Sequence, residues 1–138
     1  MNAHNTKILL VEDEEADVVH FQRVCRKQNL SAEIVVARSG DSALELMRTD
    51  PGGSGRFVIV TDLNMPGLTG HEFIEEVRGD GRLSSNVIFV LSTSDLADDI
   101  DKAYQSHVAG YIVKDPLGER IEAGVAMLQR YLDTVSLG

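Results

Sequence analysis

A short apolar run that ends in a carboxylate constrains the fold of this chain more than any other feature. The run Phe57-Val58-Ile59-Val60-Thr61 is rich in β-branched residues, and Asp62 follows it directly. Such a run is typical of a strand buried on both faces, and Pro66-Gly67 then ends it. Ligands of open α/β sheets bind beyond the carboxyl ends of the strands. Asp62 is therefore a candidate site residue, although an Asp that only caps a turn fits this segment equally well.

Similar apolar runs alternate with helical patterns along the chain. Strands are predicted over Lys7–Val11, Glu33–Ala37, Phe57–Thr61, Asn86–Leu91 and Gly110–Lys114. A helical pattern follows each strand, over Ala16–Gln28, Asp41–Arg48, a stretch between Gly70 and Gly79, a stretch reaching about His107, and the C-terminal residues. Five strand–helix repeats predict an α/β domain with a doubly wound parallel sheet and helices on both of its faces.

Two of these helices carry more specific expectations. Ser94 or Asp95 is expected to cap the fourth helix, because either side chain can accept a backbone N–H. The last helix is expected to bury one apolar stripe, formed by Leu117, Ile121, Val125, Leu128 and Leu132.

The length and charge of the chain indicate one globular domain. Its 138 residues predict a single domain over 1–138 with a core of about 7–132, since the glycine-rich loop at 50–55 is too short for an interdomain linker. Thirteen basic and 22 acidic residues give a net charge of −9. This charge disfavours a general nucleic-acid role, because binding the phosphate backbone requires a basic face.

The sequence also indicates a cytoplasmic setting. No apolar run is long enough to cross a bilayer, and the N-terminus lacks the regions of a signal peptide. The single Cys25 falls on a helical apolar face, so a buried thiol is favoured over a reactive one. No output domain follows the predicted core, so the domain is expected to act on its own.

Acidic residues follow two of the predicted strands. Glu12 and Asp13 come after the first strand, and Asp62 comes after the central one. Because parallel strands bring their carboxyl ends to one edge, these acids should converge and repel each other. A hard divalent cation with oxygen ligands relieves this repulsion, and Mg²⁺ fits a site with few protein carboxylates. Part of the acidic run also fits a helix N-terminus stabilised by the macrodipole.

A hydroxyl and an ammonium complete this set. Ser92 ends the fourth strand and Lys114 ends the fifth, so both are expected at the same edge. An ordinary loop hydroxyl and a surface lysine are the alternatives. A carboxylate nucleophile, Mg²⁺ and a lysine are together what phosphoryl transfer to Asp requires.

On these residues the sequence resembles the receiver domains of two-component response regulators. The motifs that carry the resemblance are Ile8–Asp13, Thr61–Gly67 with Gly70, Val90–Ser94 and Gly110–Lys114. The resemblance implies a flavodoxin-like sheet of order 2-1-3-4-5. It also implies a signalling protein and not an enzyme, with a histidine kinase as its phosphoryl donor.

The same resemblance implies a role for each site residue. Asp62 is the expected phosphoacceptor. Glu12, Asp13, Asp62 and the backbone carbonyl of Asn64 are the expected Mg²⁺ ligands. Ser92 and Lys114 are expected to contact the phosphoryl group, and Tyr111 is expected to swing inward on activation. A packed aromatic at the sheet edge is the alternative for Tyr111.

The sequence departs from the usual pattern of the family in three places. Glu12 stands where Asp is common, and Ser92 stands where Thr is more common. Asp115 separates Lys114 from Pro116, so a cis peptide bond after Lys114 is disfavoured. This form, together with the stretch Arg78–Leu83, resembles receivers associated with bacterial phytochrome kinases.

The sequence is also compatible with other functions and with a homodimer. A phosphohydrolase of the haloacid-dehalogenase type has similar chemistry, but Asn64 occupies the place of its second acid. A flavin-binding module and a receiver cut from a longer kinase or regulator are further alternatives. The surface of the fourth helix, fifth strand and fifth helix is a possible homodimer interface, and Met127 and Tyr131 are either packing residues or part of that patch.

Overall fold

The computed structural model describes residues 6–50 and 57–137, so most of the loop expected at 50–55 lies outside the described residues. The strands are β1 (Lys7–Val11), β2 (Ile34–Ala37), β3 (Phe57–Thr61), β4 (Val87–Ser92) and β5 (Gly110–Val113). The helices are α1 (Glu15–Lys27), α2 (Gly40–Arg48), α3 (Gly70–Gly79), α4 (Ala97–Gln105) and α5 (Glu119–Thr134). The strict alternation confirms the predicted α/β class.

All four pairings within the sheet are parallel, and the strand order is β2-β1-β3-β4-β5. This is the flavodoxin-like order predicted above. Its register places Val11 opposite Thr61, and Ser92 opposite Val113. The last residues of four strands therefore lie at one edge of the sheet, and the residues that follow β1 and β3 extend beyond that edge.

A core lies on each face of the sheet, which explains why the central strands are apolar throughout. On one face Leu9, Ile59 and Val90 pack against the buried sides of α2 and α3. On the other face Ile8, Val58 and Leu91 pack against α1 and α5. Every residue of β3 is buried, as the run Phe57–Thr61 predicts.

Side chains of the connecting loops determine where two of the helices begin. Ser39 caps α2 and Thr69 caps α3, and in each case the third helical residue bonds back to the cap. The expectation that Ser94 or Asp95 caps α4 is wrong, because Leu96 occupies the N-cap position without a side-chain hydrogen bond. The Ser94 hydroxyl instead donates to Asp99 Oδ2, at 2.5 Å.

The apolar stripe of α5 is confirmed except at Leu117. Ile121, Val125, Leu128 and Leu132 are buried, but Leu117 is 81% exposed. The chain turns before the helix starts, with Gly118 N–H donating to Asp115 O and Gly118 in the left-handed region at φ 75°. Leu117 therefore belongs to this turn and not to the helical stripe.

Two further expectations concern burial and membranes. Cys25 is 3% exposed, so the expected buried thiol is confirmed, and burial raises the pKa of this thiol to about 12. Within residues 6–50 and 57–137, no helix combines the length and apolarity that crossing a membrane requires.

Gly70 is the position where the backbone around Asp62 leaves no room for a side chain. A Cβ there would lie 2.2 Å from the carbonyl oxygen of Asp62 and 2.5 Å from Leu63 Cα. The Gly70 N–H also donates to Leu63 O, at 2.9 Å. The start of α3 is thereby held against the β3–α3 loop.

We expect Gly70→Ala to destabilise the protein by about 1–3 kcal/mol or more, because the clash is with backbone and not with a movable side chain. The measurement is the free energy of unfolding in urea. Gly79→Ala is the matched control at the end of the same helix, since a Cβ added there would meet nothing within 4 Å. Equal stability of the two variants would contradict the close-packing account.

Candidate functional site

The strand ends bring the predicted acids and the lysine together. Glu12 follows β1, Asp62 follows β3 and Lys114 follows β5, so parallel pairing places all three at the same edge. Ser92 is the last residue of β4 at that edge and is fully buried. The predicted convergence is confirmed for the described residues.

Three carboxylates form a compact group at this edge. Glu12, Asp13 and Asp62 each offer an oxygen, and these oxygens lie within 4.8 Å of one another. Glu12 is 2% exposed and Asp62 8%, whereas Asp13 faces the solvent. An all-oxygen donor set with one open side suits a hard divalent cation that keeps several waters. The residues present therefore fit the expected metal.

Lys114 lies among these acids. Its Nζ donates to Glu12 Oε1 at 2.9 Å and to Asp17 Oδ2 at 3.0 Å, and it lies 3.8 Å from Asp62 Oδ2. The lysine side chain is only 7% exposed. It is therefore not the surface lysine considered above. Asp17 was not predicted, because an acid in the first turn of a helix has a sufficient explanation in the helix dipole.

The pKa values of Glu12 and Lys114 are both raised, for different main reasons. Burial raises the pKa of Glu12 to about 7, Lys114 lowers it in part, and Asp62 raises it further. Burial by itself lowers the pKa of Lys114, but its contacts with Glu12, Asp62 and Asp17 outweigh burial, so that pKa is raised. Burial is thus the main reason that Glu12 holds its proton more tightly, and the neighbouring carboxylates are the reason that Lys114 does.

The two oxygens of Asp62 have different surroundings. Oδ1 accepts the backbone N–H of Leu63 at 2.7 Å and, more weakly, that of Asn64 at 3.4 Å. Oδ2 is the oxygen nearest the Lys114 ammonium. The backbone therefore fixes the orientation of the carboxylate and leaves Oδ2 directed toward Lys114. Asn64, the predicted carbonyl ligand, lies in the exposed loop two residues later.

Ser92 and Tyr111 meet at the β4–α4 loop. The Ser92 hydroxyl oxygen accepts the N–H of Ser94 at 3.2 Å. The Tyr111 hydroxyl donates to the carbonyl oxygen of Ser94 at 2.9 Å, and burial is the main cause of the raised pKa of this phenol. Ser94 is thus bound through both of its backbone groups by two predicted site residues.

This loop is also bonded to α3 and α4 through residues that the sequence did not indicate. Asp99 Oδ2 accepts the Ser94 hydroxyl, and Asp99 Oδ1 lies 3.2 Å from His71 Nε2. The Ser94 hydrogen bond is the largest cause of the lowered pKa of Asp99, with that of His71 second. No motif predicts this pair, since the two residues are 28 positions apart and meet only in the folded protein.

Arg78 connects the loops at the opposite edge of the sheet. Its guanidinium donates to the carbonyl oxygens of Ser84, Asn86, Ser106 and His107 at 2.7–2.8 Å. Burial lowers the pKa of this guanidinium. The stretch Arg78–Leu83, noted above only for its resemblance to a subgroup, thus begins with a residue that fixes two loops.

The backbone after Lys114 is regular. Among the described residues there is no cis peptide bond, which agrees with the expectation from Asp115. The Asp115 carboxylate accepts the N–H of Arg120 at 3.0 Å and so fixes the turn into α5.

The fold and this edge together define a class of protein, namely doubly wound α/β domains with an acidic, lysine-containing pocket beyond the central strands. The family model of the response regulator receiver domain matches residues 8–126. The chain belongs to this family. The family predicted from the motifs is therefore confirmed, and receiver domains of response regulators are signalling proteins that bind a divalent metal at such a pocket.

Three relatives show the range of similarity. The probable methanogenesis regulatory protein FilR2 of Methanothrix harundinacea is 31% identical over 126 residues, 90% of this chain and 81% of FilR2. Response regulator Rcp1 of Synechocystis is 31% identical over 110 residues, 78% of this chain and 75% of Rcp1. The Mn²⁺-bound structure of Rcp1 has a TM-score of 0.81 at 28% identity and covers 96% of this chain and 99% of that one.

The third relative is the phosphorylated cyanobacterial phytochrome response regulator RcpA. Its structure has a TM-score of 0.82 at 30% identity and covers 95% of this chain and 96% of that one. Phytochrome response regulators are therefore among the relatives of this chain, as the form of its Lys114 region predicts.

Proposed function

We propose that this receiver accepts a phosphoryl group on Asp62 from the phosphohistidine of a histidine kinase. The observation that carries the proposal is the position of Asp62, which shares a compact group with two further carboxylates and lies 3.8 Å from the Lys114 ammonium. Glu12 and Lys114 are charged and buried, which costs desolvation free energy, and a role in binding the phosphoryl group accounts for their placement.

The backbone of the β3–α3 loop prepares Asp62 for this reaction. The N–H of Leu63 holds Oδ1, so Oδ2 is the proposed nucleophile. Oδ2 attacks the phosphorus and the P–N bond breaks. The imidazole, protonated on its second nitrogen, leaves with the bonding pair as neutral imidazole. Lys114 lies close enough to stabilise the negative charge that gathers on the phosphoryl oxygens.

Glu12, Asp13 and Asp62, with the Asn64 carbonyl, are the proposed ligands of Mg²⁺. The oxygen-only donor set and the open side of the pocket support this choice. The bound ion would neutralise charge on the carboxylates and the phosphoryl oxygens. The Mn²⁺-bound form of Rcp1 supports a divalent ion in a related protein.

Ser92 and Tyr111 are the proposed switch. Phosphorylation adds roughly −1.5 to −2 charge at Asp62. A Ser92 hydroxyl that turns toward the phosphoryl group gives up the N–H of Ser94, and the Ser94 carbonyl is the group that Tyr111 binds. The two contacts therefore change together, which transmits the event to α4 and β5.

The setting of the proposed function follows the expectations above. We propose a cytoplasmic receiver that acts as one domain and signals by a change in its surface, with no enzymatic turnover of its own. The coverage of 96% of the RcpA chain supports the single-domain assignment. The same similarity supports a phytochrome-type histidine kinase as partner. Steady turnover of a generic phosphomonoester would favour the phosphohydrolase alternative.

Asp62→Asn should abolish labelling by acetyl phosphate or by a histidine kinase, to below about 1% of the parent, because the nucleophilic oxygen is lost. The free energy of unfolding should stay within about 1 kcal/mol, since the substitution is isosteric. Phosphate incorporation and urea unfolding are the measurements. Asp41→Asn, an exposed acid at the start of α2, is the control that should label normally. Labelling of Asp62→Asn at the parent's level would refute the assignment.

Lys114→Ala should bind Mg²⁺ at least as tightly as the parent, and up to about tenfold more tightly, because a competing cation leaves the carboxylates. The same variant should switch poorly, since no ammonium would hold the phosphoryl group. Calorimetric titration with Mg²⁺ measures the first effect, and NMR of the Tyr111 ring after phosphorylation measures the second. Lys102→Ala, on the exposed side of α4, is the control. A normal Tyr111 response in Lys114→Ala would contradict this role.

A homodimer through the face of α4, β5 and α5 is the remaining part of the proposal. Leu96, Tyr104 and Met127 are exposed by 65%, 48% and 36%, which gives these elements an apolar surface. Tyr131 packs edge-to-face on Phe89 at 5.4 Å, so it is a packing residue. Analytical ultracentrifugation should show a dimer, and Tyr104→Ser should weaken it. Monomers before and after phosphorylation would exclude this interface.

A further inference from the structure

Lys114 has one partner that the proposed phosphoryl chemistry does not use. Asp17 Oδ2 lies 3.0 Å from Nζ, as close as Glu12 Oε1 at 2.9 Å and closer than Asp62 Oδ2 at 3.8 Å. Asp17 is not one of the three acids whose oxygens converge as a possible cation site. Its contact with the site is therefore through Lys114.

The position of Asp17 differs from that of the other acids. It lies in the first turn of α1, and its side chain is 39% exposed, compared with 3% for Glu12. It borders the open cleft between α1 and the turn before α5, together with His20 and Gly118. Asp17 can thus exchange the ammonium for water at little cost, whereas the buried Glu12 cannot.

The surplus of carboxylates in the pocket means that Asp17 competes with other groups for the Lys114 ammonium. Three carboxylates, those of Glu12, Asp17 and Asp62, lie within 4 Å of the Lys114 ammonium, and Asp13 lies beside Glu12 and Asp62. A cation held by the other three would draw them toward itself, and Asp17 would be left as the acid that competes for Lys114. An ammonium that turns to a phosphoryl group must then leave or share Asp17.

We propose that Asp17 is a positioning residue that holds Lys114 in its unphosphorylated place and competes with the phosphoryl group for the ammonium. The proposal rests on the proposed role of Asp62. In this arrangement Asp17 sets how strongly the site favours the phosphorylated state. A carboxylate on the first turn of α1 thereby tunes a reaction that it does not touch.

The test measures two affinities of Asp17→Asn with opposite expected signs. At saturating Mg²⁺, affinity for beryllofluoride, a stable mimic of a phosphoryl group on a carboxylate, should rise about two- to fivefold. The Mg²⁺ affinity of the protein without beryllofluoride should fall by a similar factor, because a negative charge is lost and Lys114 moves onto Glu12 and Asp62. Fluorine NMR and calorimetry supply the two affinities.

Three further variants make the result specific. Asp17→Glu keeps the carboxylate and should restore both affinities toward the parent's. Asp41→Asn removes the same charge from an exposed helix start, and should leave beryllofluoride affinity unchanged. In a Lys114→Ala background, Asp17→Asn should no longer raise beryllofluoride affinity, since there is no ammonium left for Asp17 and the phosphoryl mimic to compete for.

The outcomes separate this proposal from the one on which it rests. If the parent protein itself does not bind beryllofluoride, the role of Asp62 fails. If the parent binds and Asp17→Asn binds equally or more weakly, or if Asp41→Asn gains as much, the role of Asp17 is overturned. Loss of both affinities together would make Asp17 a merely structural residue and would overturn it too.

Discussion

The electrostatic balance at the carboxyl edge of the sheet is the constraint on which the rest of the structure depends. Parallel pairing forces the residues after β1, β3 and β5 into one small region, and the sequence places acids after two of them and a lysine after the third. Lys114 supplies the only ammonium among the described contacts of these acids, and it is nearly buried. Without it, Glu12 would be a buried charge with no cationic partner.

Close backbone packing, as well as charge, fixes the positions of the side chains at this edge. Two apolar cores hold the sheet between its helix layers, so that β1 and β3 cannot slide relative to each other. The N–H groups that orient Asp62 belong to a loop that Gly70 holds at close range. The position of the carboxylate is therefore a property of the packed scaffold and not of a mobile loop.

Sequence patterns predicted the features that depend on periodicity and strand polarity. The buried run Phe57–Thr61 predicts a central strand, and parallel pairing then predicts that Asp62, Glu12 and Lys114 meet. Sequence patterns do not predict features that depend on the orientation of a single side chain. Leu117 continues a helical spacing but lies in a turn.

The cap of α4 and the partner of Lys114 show the same limit. Ser94 has the chemistry of a cap, but Asp99 takes its hydroxyl, and that choice depends on the position of α4 against α3. Asp17 belongs by sequence to an ordinary acidic helix start. Only the folded chain, which brings the residue after β5 beside the first turn of α1, gives it a lysine to bind.

The arginine at the far edge has a mechanical consequence for α4. Arg78 binds the carbonyls of Ser106 and His107, directly beyond the last residue of α4, and joins them to the strand connection at Ser84 and Asn86. The other end of α4 starts from a loop with an uncapped first turn. α4 is therefore held at both ends, by Arg78 just beyond its last residue and by the contacts of Asp99 with Ser94 and His71 in its first turn. The C-terminal attachment uses backbone carbonyls and the N-terminal one uses a side chain of the β4–α4 loop, so a rearrangement of that loop would alter the start of α4 and leave the Arg78 contacts in place.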